Sequence, residues 1–204
     1  MALGLGWLLS AVIHDHQTTA SPSRLEVDRQ VKELLQKRTQ QPLSPSDERR
    51  LIERLLALGR LPESIVLVEE QVKAQPKVWR WRLLLTQLHL RNGNNTAADA
   101  QIQHLMRLHP NDPQGLQLLV LLDQQQGRQS EATAALTGRF KGLEPGQRLE
   151  IGLLLADLLR QGGSPQTAKT LYHQLAEEEP TNPRPLLALA LLLQEQGHGK
   201  AIIR

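Results

Sequence analysis

Two punctuation ladders with one common period constrain this chain more than anything else in it. Gly59, Gly93, Gly127, Gly163 and Gly197 recur at a near-constant interval of about 34 positions, and Pro76, Pro110, Pro145 and Pro180 keep the same interval. A fixed period of this size is the mark of stacked supersecondary repeats. Glycine reaches the left-handed conformation that closes a helix, and proline cannot continue one. The glycines therefore mark a turn inside each repeat and the prolines a turn between repeats. Between these marks run segments of about a dozen residues, such as Trp79 to Arg91 and Thr96 to Leu108, with leucines three and four apart. That spacing predicts amphipathic helices.

The interior such helices can build is aliphatic. Hydrophobic residues make up 40% of the 204, yet the aromatics are only Phe140, Tyr172 and three tryptophans, and β-branched residues are too sparse for a sheet protein. The chain is long enough for one repeat array with an N-terminal extension. The expected fold class is all-α.

Several residues fall at matching places along the period. In the unit from Pro76 to Pro110, Gly93 is the internal glycine, Ala98 the small helix contact, and Pro110 with Asn111 the closing pair. Ala132 and Ala168 repeat the small position, and Tyr172 is an aromatic in the second helix. Pro180, Asn182 and Pro183 form a connector, while Leu85, Leu119, Leu155 and Leu189 share one first-helix place. In these residues the chain resembles the tetratricopeptide repeat (TPR) family in a divergent, bacterial-type form. It departs from the family pattern at Ser64, where alanine is expected, and at His89, where tyrosine is expected.

The resemblance implies a right-handed α-solenoid of helix-turn-helix repeats over residues 43–204. Its units are 43–76, 77–110, 111–145, 146–180 and an incomplete 181–204, in which Gly197 is the internal turn and Ala201 to Ile203 open a second helix. The first unit starts at Ser46-Asp47-Glu48, whose acids suit the positive end of a helix dipole. The helix Leu186 to Leu193 is nearly all aliphatic. Each solenoid repeat buries its face only against its neighbours, so this C-terminal face is expected to be covered by a second copy, a partner or further chain.

Ahead of the array, residues 21–42 hold a linker, Ser21-Pro22-Ser23, and an N-terminal helical extension. Arg24 to Arg38 reads as an amphipathic helix with Leu25, Val31, Leu34 and Leu35 toward one side. Residues 1–20 form an apolar segment whose run, Ala2 to Ile13, is shorter than the roughly 20 residues a bilayer crossing needs. Three readings stay open for it: a membrane anchor through residues 1–13, a secretory signal, and a helix docked on the array. The signal reading has a small-residue site at Thr18-Thr19-Ala20 but lacks the basic region that should precede it. Localisation stays open in the same way, between membrane-associated or exported and cytoplasmic.

The residue types and spacings that carry chemistry are missing. The chain has no cysteine, which excludes disulfides, thiolate metal sites and cysteine nucleophiles. The net charge of +3 comes from interspersed charges without a basic run, so nucleic acid is not an expected partner. Gly197-His198-Gly199-Lys200 looks like part of a phosphate loop, but Gln194 stands where its first glycine should be and Ala201 where magnesium needs a hydroxyl. His14 and His16, and His104 and His109, lack the spacing of helical metal ligands. Glu69-Glu70 and Glu177-Glu178-Glu179 are adjacent on second helices, point in different directions and read as solvated faces. No catalytic residue, cofactor or metal site is expected, and the chain is read as not an enzyme.

The resemblance further implies that the first helix of each repeat lines a concave groove in which a partner segment lies. Its positions would be Arg49 and Glu53, then Arg80, Leu83, Gln87, Leu90 and Arg91, then Gln114, Gln117, Leu121 and Gln124, then Glu150, Asp157 and Arg160. The carboxylate clamp of chaperone-binding family members is missing, because Leu84 and Leu118 stand where its asparagines belong. The candidate partner-binding residues are Arg49, Arg80, Gln87, Arg91, Gln114, Gln117 and Gln124, the arginines for acidic side chains and the glutamines for peptide backbone. Trp79 and Trp81 are expected to fill a joint between repeats. The expected function is a scaffold or assembly factor binding an acidic or amphipathic protein segment. The alternatives are a self-associating structural protein and an accessory factor in cell-envelope or membrane-complex biogenesis.

Overall fold

As far as Gly163, helices occupy the positions the two ladders assign to them. The computed structural model describes residues 23–202, with side chains described as far as Gly197. The apolar segment 1–20 with its three readings, the Ser21-Pro22 start of the linker, and the His14 and His16 pair lie outside the described residues. Within them are ten helices: α1 (Arg24–Gln40), α2 (Pro45–Ala57), α3 (Leu61–Ala74), α4 (Trp79–Arg91), α5 (Asn95–Leu108), α6 (Pro113–Gln125), α7 (Gln129–Lys141), α8 (Leu149–Gln161), α9 (Pro165–Glu178) and α10 (Arg184–Ile202). No strand occurs among the described residues. The chain divides between Leu105 and Met106 into two compact units, and in each the packing runs mainly from one helix to the next in sequence. The architecture is all-α, a solenoid type built of helical hairpin repeats.

Four of the five ladder glycines close a first helix as expected. Gly59, Gly93, Gly127 and Gly163 have φ of 75°, 74°, 72° and 79°. After each, the next amide donates back to a carbonyl in the last turn of the helix: Arg60 to Leu55, Asn94 to His89, Arg128 to Asp123 and Ser164 to Leu159, at 2.9, 2.9, 2.7 and 2.9 Å. These bonds satisfy carbonyls that the helix end leaves without partners. Gly197 departs from the expectation, because α10 runs straight through it from Arg184 to Ile202. A glycine permits the left-handed turn without imposing it, and leaving it in a helix costs only about 1 kcal/mol. The other four turns are followed by a helix, and no second helix follows Gly197 among the described residues.

The small position of the second helix lies where two helices meet. Ser64, Ala98, Ala132 and Ala168 are 0%, 0%, 1% and 0% exposed. Serine is tolerated in place of alanine because its Oγ donates to the Arg60 carbonyl at 2.9 Å, so no buried hydroxyl is left without a partner. Thr86 uses the same device, donating to the Arg82 carbonyl at 2.7 Å.

In the first unit α1 belongs to the array. Val27, Val31 and Leu34 are buried, and the last two join a core containing Leu51 and Leu55 of α2, Val68 of α3, and Leu85 and Leu88 of α4. Leu25, expected on that face, is 84% exposed. It lies two residues before Val27, about 200° around the helix at 3.6 residues per turn, so the buried stripe starts at Val27 instead. The start of α2 also shifts from the expectation. Ser44, not Ser46, caps it by accepting from the Asp47 amide at 3.2 Å, with Pro45 at the first helical position and Asp47 and Glu48 in the first turn.

His89, at the place of the family tyrosine, is 5% exposed, and its Nε2 lies 3.9 Å from Glu69 Oε1. Burial lowers its pKa below the ordinary 6.5, and Glu69 offsets part of that shift. As pH falls through 6.5 the unfolded chain takes the proton more readily than the folded one, so stability declines from there down toward the lower folded value. The urea midpoint should therefore drop between pH 7.5 and pH 5.5, and drop by less in His89→Gln. Equal drops in the two proteins would refute this account.

In the second unit one core joins Leu116, Leu136, Phe140, Ile151, Leu155, Ala168, Tyr172 and Leu189 from five consecutive helices. The acidic run at the end of α9 is not simply a solvated face. The Glu178 and Arg148 side chains are only 14% and 15% exposed, with Arg148 Nε 3.0 Å from Glu178 Oε2. The Arg148 guanidinium lies 4.5 Å from the centroid of the Phe140 ring. Hydrogen bonding to Arg148 holds the Glu178 carboxyl below the usual carboxylate range. A partner far back along the chain, just ahead of α8, decided this, and adjacency on a helix gave no hint of it.

Candidate functional site

On α4, Arg80, Gln87 and Arg91 are separated by seven and four positions and so share one stripe. Arg80 and Arg91 are exposed and Gln87 is half-buried. Arg49 is exposed on α2, with Glu53 half-buried one turn on. None of these three arginines makes an ion pair or hydrogen bond with a described residue. Leu83 and Leu90, expected to line the groove beside them, are instead 5% and 4% exposed. The exposed face of α4 is therefore narrower and more cationic than the family pattern implies. Trp79 and Trp81 are both half-buried, and Trp81 packs against the core of its unit.

The amide-rich set lies in the second unit, on α6. Gln117 is exposed, and Gln114, Leu121 and Gln124 are half-buried. Gln124 Nε2 donates to Gln161 Oε1 of α8 at 2.9 Å, so one of the amides expected to meet a peptide backbone is already bonded across successive first helices. The seven candidate residues thus fall into two groups, Arg49, Arg80, Gln87 and Arg91 in one unit and Gln114, Gln117 and Gln124 in the other.

A third surface is formed by α8 and α10 within the second unit. A cleft of about 460 Å³ has Leu153, Leu187, Ala188 and Leu191 as its apolar lining and Asp157, Arg160, Arg184 and Glu195 as its charged lining. Leu187 and Leu191, one helical turn apart, are 61% and 62% exposed. Two ion pairs tie the helices together beside them. Arg184 donates to Glu150 through both terminal guanidinium nitrogens, with Nη2 to Oε2 at 2.9 Å. Arg160 Nη1 lies 2.9 and 3.0 Å from the two oxygens of Glu195. Asp157 Oδ1 is 3.7 Å from Arg160 Nε and accepts from the Tyr172 hydroxyl at 2.6 Å. Burial and the neighbouring carboxylate raise the Tyr172 pKa well above its usual 10.0, which keeps the hydroxyl a donor.

Glu150, Asp157 and Arg160 were legible as groove positions and Leu187 and Leu191 as part of the aliphatic face from Leu186 to Leu193, whereas Arg184 and Glu195 were missed. The period itself was the available signal. Glu150 and Arg184, Leu153 and Leu187, Asp157 and Leu191, and Arg160 and Glu195 are each about one repeat period apart.

Chemically the three surfaces offer cations, amides and an apolar cleft with charged walls. Among the described residues no cluster of three or more His, Asp or Glu is arranged to hold a metal ion. No described helix is long and apolar enough to cross a membrane.

No protein-family model and no curated protein matches this sequence. Among solved structures the chain is similar to TTC0263, a thermophilic TPR protein in Thermus thermophilus, at 18% identity and a TM-score of 0.55, over 83% of this chain and 91% of that one. It is also similar to a chain of the APC/C hetero-tetramer Cut9-Hcn1, at 14% identity and a TM-score of 0.51, over 84% of this chain and 34% of that one. The fold is that of a TPR-like repeat protein.

Proposed function

We propose that this chain is a non-enzymatic interaction scaffold that holds segments of other proteins along the exposed faces of the first helices within each unit. In this reading Arg49, Arg80 and Arg91 of the first unit grip acidic side chains beside Gln87, and separately Gln114 and Gln117 of the second unit meet peptide backbone, with Gln124 using the amide oxygen that its bond to Gln161 leaves over. The observation that carries it is the α4 stripe, where two arginines flank a glutamine and have no partner in the described chain. A guanidinium not already committed to a carboxylate can make a bidentate contact with an incoming one. A fold built from packing residues does not name a partner. The similar chain of the Cut9-Hcn1 hetero-tetramer is itself held in a protein assembly, which suits the reading.

The test is fluorescence anisotropy with a labelled dodecapeptide of leucine and glutamate. The double variant Arg80→Glu and Arg91→Glu should weaken its binding about tenfold and flatten the salt dependence, because exposed charge contacts are screened. The unfolding temperature should not move, since both side chains are exposed. Unchanged affinity in the variant, or no binding to the parent protein, counts against the reading.

A second reading, self-association, is favoured by a separate stripe on α10. Leu186 and Leu193 are 54% and 44% exposed, with Ala190 exposed between them. If two copies meet there, light scattering at tens of micromolar should give twice the mass of the chain, and Leu193→Ser should return it to one. A single mass in the parent protein removes this reading.

A further inference from the structure

We propose that the cleft between α8 and α10 is a specificity subsite for a basic amphipathic segment of a partner protein, taking an aliphatic side chain with a cation about one helical turn away. This deepens the scaffold reading and rests on it.

The floor sets the first requirement. Leu187 and Leu191 are more than half exposed beside Leu153, which is only 8% exposed, so an aliphatic group entering between them reaches apolar surface on both helices. The walls keep that space open. The Glu150–Arg184 pair and the Arg160–Glu195 pair each bridge α8 to α10, so the two helices are pinned at both ends of the cleft.

The charge distribution sets the second requirement. Arg184 and Glu150 neutralise each other. At the other end, among the described side chains, two carboxylates, Asp157 and Glu195, share the single guanidinium of Arg160, which leaves one negative charge in excess. Those carboxylates are also the accessible groups: the side chains of Asp157 and Glu195 are 50% and 57% exposed, against 30% for Arg160. Tyr172 donates a hydrogen bond to Asp157 but brings no charge. A lysine or arginine from a ligand completes this end of the cleft, and a glutamate there is repelled. The preference is opposite to that of the α4 stripe, so the two surfaces select different segments. A second copy of this chain is a poorer occupant, because the α10 stripe of Leu186, Ala190 and Leu193 carries no cation to meet Asp157 and Glu195.

The test uses the full chain, labelled with ¹⁵N, and two fluorescein-labelled dodecapeptides with the same leucines one turn apart, one bearing lysines and the other glutamates. The lysine peptide should shift amides of α8 and α10 and bind there about tenfold tighter than the glutamate peptide at low salt, a margin that narrows as salt rises. Asp157→Asn, which keeps an acceptor for Tyr172, should shrink the preference. The double variant Leu187→Ser and Leu191→Ser should lose the lysine peptide yet still bind the glutamate peptide through α4, so failure here is separable from failure of the scaffold reading. Equal affinity of both peptides at the cleft overturns the proposal, as do shifts confined to other helices. A doubled mass that the double serine variant returns to single would make the occupant a second copy and overturn it as well.

Discussion

Gly152→Val should destabilise the protein by about 3 kcal/mol, at the upper end of what overpacking a core usually costs. A Cβ at this position would lie 2.6 Å from Leu175 Cδ2 and 2.8 Å from Phe140 Cε2. Neither neighbour has room to swing aside, since Leu175 is 1% and Phe140 7% exposed. Valine adds two further carbons to that clash and confines its own rotamer in a helix. The glycine is there because α7, α8 and α9 approach one another at this point, and the close approach outweighs the poor helix propensity of the residue. Gly138 of α7 supplies the control. Nothing lies within 4 Å of its Cβ position, so Gly138→Ala should be neutral or stabilising by up to about 1 kcal/mol. Urea denaturation of the three proteins decides it. A Gly152→Val variant as stable as its parent would mean that these helices are not in the contact described.

Leu55→Ala should remove about 2–5 kcal/mol, the range for truncating a leucine in a core that cannot close over the gap. Leu55 is 0% exposed and belongs to the cluster that joins α1, α2, α3 and α4, with Val31, Leu34, Val68 and Leu88 among its members. With side chains from four helices around it, no one helix can shift to fill the hole without opening another contact. Amide hydrogen exchange should accelerate across α1 to α4. Val66→Ala on the exposed side of α3, where the residue is 53% exposed, should stay within about 0.5 kcal/mol of the parent. A loss below about 1 kcal/mol for Leu55→Ala, well under the usual cost of such a truncation, would show that the first unit has no shared core and that α1 is a loose appendage.

Much of the site was legible only in outline. The groove positions of Arg49, Arg80 and Arg91 are what the family resemblance implies, and all three are exposed. Leu83 and Leu90 are implied by the same resemblance and are buried, because a family position assigns a residue to a side of its helix but not to what lies against that side in this chain. The cleft walls show the same limit. Arg160 and Arg184 are visible as charges, while their choice of Glu195 and Glu150 depends on α8 and α10 lying side by side.

The sequence by itself determined that the chain is a run of short helices and that Gly59, Gly93, Gly127 and Gly163 turn the chain between them. Those outcomes rest on short-range backbone chemistry: glycine's access to positive φ, proline's missing amide hydrogen, and leucines three and four apart. It also determined that the interior is aliphatic and that no cysteine chemistry takes place. Only the tertiary structure decided that α1 joins the first core through Val31 and Leu34 while Leu25 stays exposed, and that Glu178 is paired with Arg148. It alone showed that α10 continues through Gly197. The burial of α1 and the Glu178–Arg148 pair depend on neighbours far along the chain, and a glycine by itself permits a turn without imposing one; local residue patterns carry no information about such contacts.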